Sequence, residues 1–176
     1  MTNDVGRRIV ELLPRLRRFA YALSGDPDKG DDLVQEGCAR AFAHLDRWQP
    51  GTRLDSWMYK IIHNIWRDQK RATHVRGVPI DLDAVPEVVG EDGRDVVNSK
   101  LTLRHVLDGL ASLPKEQQAL ITLISIEGLS YEDAATILGI PLGTVTSRLV
   151  RGRRALYAIA IEGRDTLKGK NDKPNR

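Results

Sequence analysis

Cysteine, aromatic residues and long apolar runs are all scarce in this sequence of 176 residues. The single cysteine, Cys38, excludes an internal disulfide and a cysteine-based metal cluster. No run approaches the roughly 20 apolar residues of a membrane span. The N-terminus also lacks the apolar core and the cleavage site of a signal peptide. We therefore expect a cytoplasmic protein with no membrane contact of its own.

Motifs of the common enzyme classes are missing as well. The sequence has no phosphate-binding loop, no metal-ligand cluster and no nucleophile motif. Its histidines are scattered and do not have the spacing of a metal site: His44, His63, His74 and His105. These absences predict a protein that is not an enzyme, with no cofactor and no metal.

Charge is unevenly distributed along the chain. The formal net charge is +3, with +3 in residues 1–72, −4 in residues 73–97 and +4 in residues 98–176. Basic surface attracts polyanions, so the two basic segments are candidates for nucleic-acid contact. The charge alone also fits an RNA-binding protein or a protein that is merely soluble.

Apolar periodicity predicts three helices between residues 5 and 71. Steps of three and four residues define a first amphipathic helix, which ends at the sequence SGDP. A second helix is expected from Asp28 to about Leu45, with Phe42 on its inner side, and a third from Leu54 to about Arg71. In the third, Trp57 is in phase with apolar neighbours and is interpreted as a core residue.

Residues 72–98 lose this periodicity and contain prolines, glycines and an acidic cluster. We interpret them as a flexible linker, because structureless loops of that length are uncommon inside one domain. Helical periodicity returns afterwards. The predicted organisation is a helical domain at 1–71, the linker at 72–98, a second helical domain at 99–163 and a tail at 164–176.

The second domain ends in the outline of a helix-turn-helix. Ser130 opens a short helix that ends at Leu138, a turn begins at Gly139, and a last helix runs from about Leu142 to Ile161. On the last helix, one face is apolar and packs inward. The opposite face is rich in arginine and hydroxyl groups, which bind phosphates and base edges. An arginine run alone would favour a solvated helix end. Together with the glycine turn and the small residues of the preceding helix, it favours nucleic-acid binding.

The sequence GLSYEDAATILGIPLGTVTSRLVRGRRAL resembles the region 4 helix-turn-helix of the extracytoplasmic-function sigma factors of the sigma-70 family. The resemblance implies that the last helix enters the major groove at the promoter −35 element. Many members have a basic residue where this chain has Thr146, so the resemblance does not fix the base preference. The implied −35 contacts are Thr144, Thr146, Ser147, Arg148, Val150, Arg151 and Arg154.

The first domain resembles sigma region 2, through GDDLVQEGCARAF and DRWQPGTRLDSWMYKIIHNIWRDQKR. That region binds the melted −10 element, and a basic groove with interleaved aromatic residues suits single-stranded DNA. Trp48 is balanced between a core role and a DNA-binding role. The residues implied for the −10 element are Arg47, Trp48, Arg53, Asn64, Arg67, Asp68 and Arg71.

The same resemblance implies protein partners. Asp32, Gln35 and Glu36 map to the surface that binds the β′ clamp helices of core RNA polymerase, and region 4 binds its β flap. The phrase RWQPGTRLDSW is similar to the general-stress-response subgroup, whose members are restrained by a small helical anti-sigma factor. The implied fold is all-α, with a region 2 bundle of three to four helices linked to a helix-turn-helix domain.

Three classes of function are compatible with parts of this pattern. A sigma factor would use both domains to direct core polymerase to promoters. A sigma mimic would sequester an anti-sigma factor without binding promoter DNA, and it would need no basic recognition helix. An ordinary helix-turn-helix regulator would leave the first domain unexplained. We therefore expect a sigma factor, with the mimic as the alternative.

Overall fold

We describe the fold from a computed structural model, which covers the backbone of residues 2–75 and 107–171 and the side chains of residues 4–73 and 107–159. Every regular element in these ranges is a helix. The all-α fold predicted from the sequence is therefore confirmed. Most of the predicted linker lies outside the described residues, so the domain boundaries stay predictions. The last helix continues past its predicted end near Ile161 to Asn171, into the segment predicted as a tail.

The first helical unit contains three long helices and one short 3₁₀ turn. They are α1 (Thr2–Ser24), α2 (Pro27–Ala43), the 3₁₀ turn (Leu45–Arg47) and α3 (Leu54–Val75). α1 packs against both α2 and α3, and α2 packs against α3. The Phe19 and Tyr59 rings meet edge to face in the core, with their centroids 5.1 Å apart. This bundle matches the three-helix prediction, with α3 extending beyond Arg71.

The corner between α1 and α2 follows from its sequence. Gly25 adopts a left-handed conformation with φ of 74°, which ends α1. The Asp26 side chain then accepts a hydrogen bond of 3.0 Å from the backbone N–H of Lys29. Pro27 occupies the first turn, where its missing N–H costs little. The end of the first helix, predicted from the sequence SGDP, is therefore confirmed.

Phe42 corrects one prediction. We expected it on the inner side of α2, but its side chain is 48% exposed, whereas the neighbouring Ala41 is fully buried. One residue turns an α-helix by about 100°, so a helix that buries Ala41 directs Phe42 away from the core. Its ring lies over Gly6 of α1, within 3.7 Å of where a Cβ atom would stand.

The second unit is built around a helix-turn-helix. It consists of α4 (described at residues 107–112), α5 (Lys115–Ile121), a π-helical turn (Thr122–Ile126), α6 (Tyr131–Leu138) and α7 (Leu142–Asn171). The buried Gln118 amide donates to the backbone carbonyls of Ala111 and Leu113, at 2.8 and 2.6 Å. These bonds close the corner between α4 and α5, because they satisfy carbonyls that the end of α4 leaves free.

The two units pack directly against each other. α1 contacts α5 and the π-helical turn, and α3 contacts α6. Buried apolar residues form one continuous cluster that extends through both units. A flexible linker would permit the two domains either to stack or to spread apart, and in this structure they stack.

We expect Gly37→Ala to lower the free energy of unfolding by about 1–3 kcal/mol, because it overpacks the contact between α2 and α3. A Cβ atom at Gly37 would lie 2.9 Å from Cγ1 of Ile62, which is fully buried and has no room to retreat. Gly143→Ala is the matched control, since nothing lies within 4 Å of its added methyl group. Urea unfolding followed by circular dichroism gives both values. Equal stability of the two variants would contradict the close approach.

Candidate nucleic-acid interface

The geometry of the helix-turn-helix is set by a cap and a turn. The Ser130 hydroxyl accepts a hydrogen bond of 3.0 Å from the backbone N–H of Asp133, which starts α6. Gly139 ends α6 in the left-handed conformation, with φ of 65°. The carbonyl of Pro141 then accepts from the N–H groups of Thr144 and Val145, and α7 begins. The helix bounds predicted for α6 are confirmed.

One face of α7 is fixed by packing. Val145 is fully buried, Leu149 is 1% exposed, and Gly152 lies against α5. A Cβ atom at Gly152 would stand 3.1 Å from Ile121 and 3.3 Å from Gln117. Because this face is held inward, the opposite face of α7 is directed to solvent. The predicted −35 residues lie there, Thr144 and Arg148 half-buried and the rest exposed: Thr146, Ser147, Val150, Arg151 and Arg154.

Local hydrogen bonds orient part of this outer face. The Thr146 hydroxyl donates to the carbonyl of Leu142 at 3.2 Å, and the Ser147 hydroxyl donates to that of Thr144 at 3.2 Å. The Arg151 Nε donates to the carbonyl of Ser147 at 3.3 Å, which leaves the outer guanidinium nitrogens available. The face can therefore offer charged donors to phosphates or guanine edges.

Two residues border this face: Arg153, which was not among the predicted −35 contacts, and Tyr157, which the sequence did not single out. Arg153 donates to the Ser125 hydroxyl at 3.0 Å, so it is turned toward α5 and its π-helical turn and away from the outer face. Tyr157 is 69% exposed and lies two helical turns beyond Val150, which is 60% exposed. Their spacing on a continuous helix was the only signal that could have added Tyr157.

The segment between α2 and α3 contributes a second basic site. Arg47 and Arg53 are exposed, and Arg53 pairs with Asp55 at 2.9 Å and with Asp133 of α6 at 3.1 Å. Trp48 is only 9% exposed, and the Arg8 guanidinium lies 5.4 Å from the centre of its ring. Trp48 therefore packs as a core residue in this arrangement, which favours the core role over the DNA-binding role that the sequence had left open.

A cleft of about 380 Å³ opens between α1 and this segment. Its lining combines guanidinium, carboxylate and hydroxyl groups with two leucines, so it offers hydrogen-bond donors, acceptors and an apolar wall. The sequence predicted Arg53 but missed the α1 side of the cleft, since only the fold brings α1 there. The lining residues are Arg8, Glu11, Leu12, Gly51, Thr52, Arg53, Leu54 and Asp55.

The remaining −10 residues lie along α3. Asn64 and Arg67 are half-buried, while Asp68 and Arg71 are exposed. Their spacing of three or four residues places them on one side of the helix. Lys70 lies 4.7 Å from the centre of the half-buried Trp66 ring, so a cation and an aromatic ring are adjacent on α3.

The predicted polymerase-binding residues are on α2. Asp32 and Gln35 are exposed, and Glu36 is half-buried. The Glu36 carboxylate accepts from Arg40 at 2.6 Å and from the Gln69 amide of α3 at 3.2 Å. All three residues therefore lie on one helix, but the carboxylate of Glu36 is already hydrogen-bonded to neighbouring side chains.

Two kinds of feature are not found in the described ranges, 2–75 and 107–171. No group of three or more histidine, cysteine, aspartate or glutamate side chains is placed to hold a metal ion there. Of the helices in those ranges, none combines the length and apolarity needed to cross a membrane.

Comparison with known proteins decides the family. Residues 9–75 match the family model for sigma-70 region 2, and residues 103–156 match that for sigma-70 region 4. The chain is 35% identical over 159 residues to the ECF RNA polymerase sigma factor EcfG of Rhodopseudomonas palustris, covering 90% of this chain and 86% of that protein. The chain belongs to the extracytoplasmic-function (ECF) sigma factors of the sigma-70 family.

Two further similarities agree with this ECF assignment. The sigma factor SigE of Mycolicibacterium smegmatis is 39% identical over 147 residues, which cover 81% of this chain and 56% of that protein. The solved sigma factor RpoE of Bartonella quintana, in complex with the anti-sigma factor NepR, is 34% identical with a TM-score of 0.70. That match covers 89% of this chain and 96% of the other.

The burial of His63 predicts that this ECF sigma factor loses stability in acid. Burial is the main cause that lowers the pKa of its imidazole from 6.5 to about 4, and Arg67 adds to the effect. The unfolded chain therefore binds a proton between about pH 6.5 and pH 4 that the folded chain does not. Stability is lost as the pH falls through this window, by up to about 3 kcal/mol.

We expect His63→Gln to remove most of this loss, because glutamine does not titrate. Urea midpoints at about pH 7 and about pH 4.5 measure it. His44→Gln, a change at an exposed histidine, is the control and should keep the pH dependence. A His63→Gln protein with the same pH dependence as the parent would contradict the burial of a neutral imidazole.

Proposed function

We propose that this chain directs core RNA polymerase to a specific set of promoters, with its second unit reading the −35 element and its first unit reading the −10 element. One observation carries the proposal. The helix-turn-helix has an inner face locked by packing and a basic outer face, and it belongs to the same chain as a region 2 bundle. A sigma mimic would need no such basic face.

The outer face of α7 is proposed to dock in the major groove. Arg148, Arg151 and Arg154 would supply donors to guanine edges or phosphates, and Val150 would contact a thymine methyl group. Thr146 already donates to the carbonyl of Leu142, so its oxygen is left as an acceptor. An acceptor at position 146 would contribute to a base preference that differs from that of relatives with a basic residue at this position.

The cleft beside Arg53 is proposed to hold the base that is extruded from the −10 element. Its donors and acceptors suit the polar edge of a base, and its leucines suit the ring. Arg67 and Arg71 lie further along α3 from the cleft. They would neutralise phosphates of the single strand. Arg8 joins this site as an addition to the residues predicted from the sequence.

We infer several further properties from family membership. Asp32, Gln35 and Glu36 would bind the β′ clamp helices, and the second unit would bind the β flap. The solved relative that is bound to NepR supports control by an anti-sigma factor. The protein would act in the cytoplasm, where the polymerase is, and would catalyse no reaction itself.

Arg151→Ala and Arg148→Ala should each weaken promoter-directed transcription, because each removes a charged donor from the DNA-facing side of α7. A lost base contact costs roughly 1–3 kcal/mol, so we expect roughly a 5- to 150-fold loss at limiting protein. Run-off transcription with purified core polymerase and genomic promoters measures it. Arg153→Ala is the matched control, since Arg153 is bonded to Ser125.

Co-purification with core polymerase should be unchanged in the two variants. Its loss would contradict the assignment of α7 to DNA. If the parent chain gives no transcripts and binds an anti-sigma factor tightly, the sigma-factor proposal fails and the mimic is supported.

Asp32→Lys should have the opposite pattern, because it reverses a charge on the proposed polymerase surface. We expect core polymerase to be lost from pull-downs by roughly tenfold or more, while binding of the isolated chain to DNA is kept or increased. Asp28→Lys, a charge reversal one turn earlier on α2, is the comparison. Equal retention of polymerase by both variants would exclude Asp32 from the contact.

A further inference from the structure

We propose that a network of ion pairs between the two units closes this protein on itself, and that the closed form does not read promoters. The network, here called the latch, consists of Arg15, Arg18, Arg53, Asp55, Glu127 and Asp133. The inhibitory part of the proposal rests on the promoter-reading function proposed above. The closure itself does not.

Glu127 is the centre of the latch. Its carboxylate accepts from the Arg15 Nε at 2.6 Å and from the Arg18 Nε at 2.8 Å. Arg15 also donates to the backbone carbonyl of Glu127 at 3.3 Å. The Glu127 side chain is only 2% exposed, so these bonds form with little competition from water. Two arginines of the first unit therefore hold one buried carboxylate of the second.

Charge on Glu127 is maintained by those arginines. Burial by itself raises the pKa of the Glu127 carboxyl, but the hydrogen bonds from Arg18 and Arg15 outweigh burial and leave the pKa below its ordinary value. The carboxylate is therefore ionised at neutral pH. An ionised carboxylate that is almost fully buried is stable only while its partners stay in place.

The backbone is shaped to present this residue. Residues Thr122–Ile126 form a π-helical turn, a rare conformation that is frequently found at functional sites. The Glu127 N–H donates to the carbonyl of Thr122 at 2.9 Å, and Gly128 follows in the left-handed conformation with φ of 71°. The wider turn and the reversal after it direct the Glu127 side chain back toward α1.

A second arm of the latch occupies a promoter-reading residue. Arg53 donates through Nη1 to Asp133 at 3.1 Å, and through Nε and Nη2 to Asp55 at 3.2 and 2.9 Å. Asp55 also pairs with Arg15 at 3.4 Å, which connects the two arms. Arg53 lines the cleft that we assign to the extruded base. In the closed form, this arginine is therefore already bonded to the helix-turn-helix.

The closed arrangement also conflicts with the spacing of the two promoter elements. Their names place them about 25 base pairs apart, which is roughly 85 Å of duplex. In the latch, Arg53 of the segment proposed to read the −10 element is bonded to Asp133 in the first turn of α6. α6 directly precedes α7, the helix proposed to read the −35 element. The units must separate before both elements are bound, and separation would free Arg53.

The latch is reversible because its bonds are ionic and several are near the surface. The arginines are 31% to 50% exposed at their side chains, so water can replace their partners when the units separate. The apolar contacts form one continuous cluster across both units, while the ion pairs fix how the two units are positioned against each other. Salt weakens the exposed Arg53–Asp133 arm of the latch, so opening should increase with ionic strength.

Glu127→Gln tests the closure directly, because it keeps the shape of the side chain and removes its charge. We expect roughly a tenfold or greater shift from closed to open chains, measured as a larger radius of gyration by small-angle X-ray scattering of the full chain. The parent should expand in the same direction between about 50 mM and about 1 M salt. Glu132→Gln, at an exposed glutamate of α6, is the matched control and should stay closed.

A second variant covers the case in which Glu127→Gln does not fold. Arg15→Gln combined with Arg18→Gln breaks the same bonds from the first unit, and it should expand the chain as well. Scattering curves of these variants that coincide with those of the parent and of Glu132→Gln at low salt would overturn the latch.

Run-off transcription at limiting core polymerase separates closure from inhibition. We expect Glu127→Gln to give several-fold more transcript than the parent, since fewer chains are closed. An expanded Glu127→Gln chain with unchanged transcription would overturn the inhibitory role. No transcript from any chain would count against the proposed function, and the scattering result would still decide whether the latch exists.

Discussion

The crossing of α5 and α7 is the contact on which the orientation of the DNA-facing surface depends. Gly152 lets the two helices approach so closely that an added methyl group would meet Gln117 and Ile121. Val145 and Leu149, on the same face of α7, are almost inaccessible to water. With this face fixed, the helical repeat alone determines which arginines face outward. The basic surface of α7 is therefore a consequence of apolar packing.

Arginine serves two purposes in this protein. On α7, the outer arginines extend into solvent, where a polyanion can reach them. On α1, Arg15 and Arg18 point into the contact between the units and neutralise a buried carboxylate. α5 links the two, because it packs on α7 and leads directly into the turn that presents Glu127. Sequence composition does not distinguish these classes, since their charges are the same.

Much of the fold could be predicted from the sequence because its signals are local. The cap at Ser130, the left-handed Gly139 and the inward phase of Val145 and Leu149 all follow from spacing within a few residues. The all-α class and the family were confirmed for the same reason, since the motifs are continuous segments. The prediction for Phe42 was wrong because it followed from the apolar character of the side chain. The helical repeat of α2, which buries Ala41, directs Phe42 away from the core.

The parts that could not be predicted depend on contacts between distant segments. The burial of Trp48 depends on how α1 lies over the segment before α3, and Arg8 belongs to the cleft for the same reason. In the sequence, Glu127 stands before Gly128 and belongs to none of the motifs described above. Its role becomes visible only when α1 is placed beside the π-helical turn. No spacing rule relates these positions, because more than one hundred residues separate Arg15 from Glu127.

The central claim is that α7 reads the −35 element while the first unit acts elsewhere on the same promoter. A double-mutant cycle tests it most directly, combining Arg151→Ala with a scrambled −35 element in run-off transcription with core polymerase. If Arg151 contacts that element, scrambling should reduce transcription strongly for the parent and much less for Arg151→Ala. Scrambling the −10 element should reduce both equally. Equal losses from −35 scrambling in the two proteins would contradict the account.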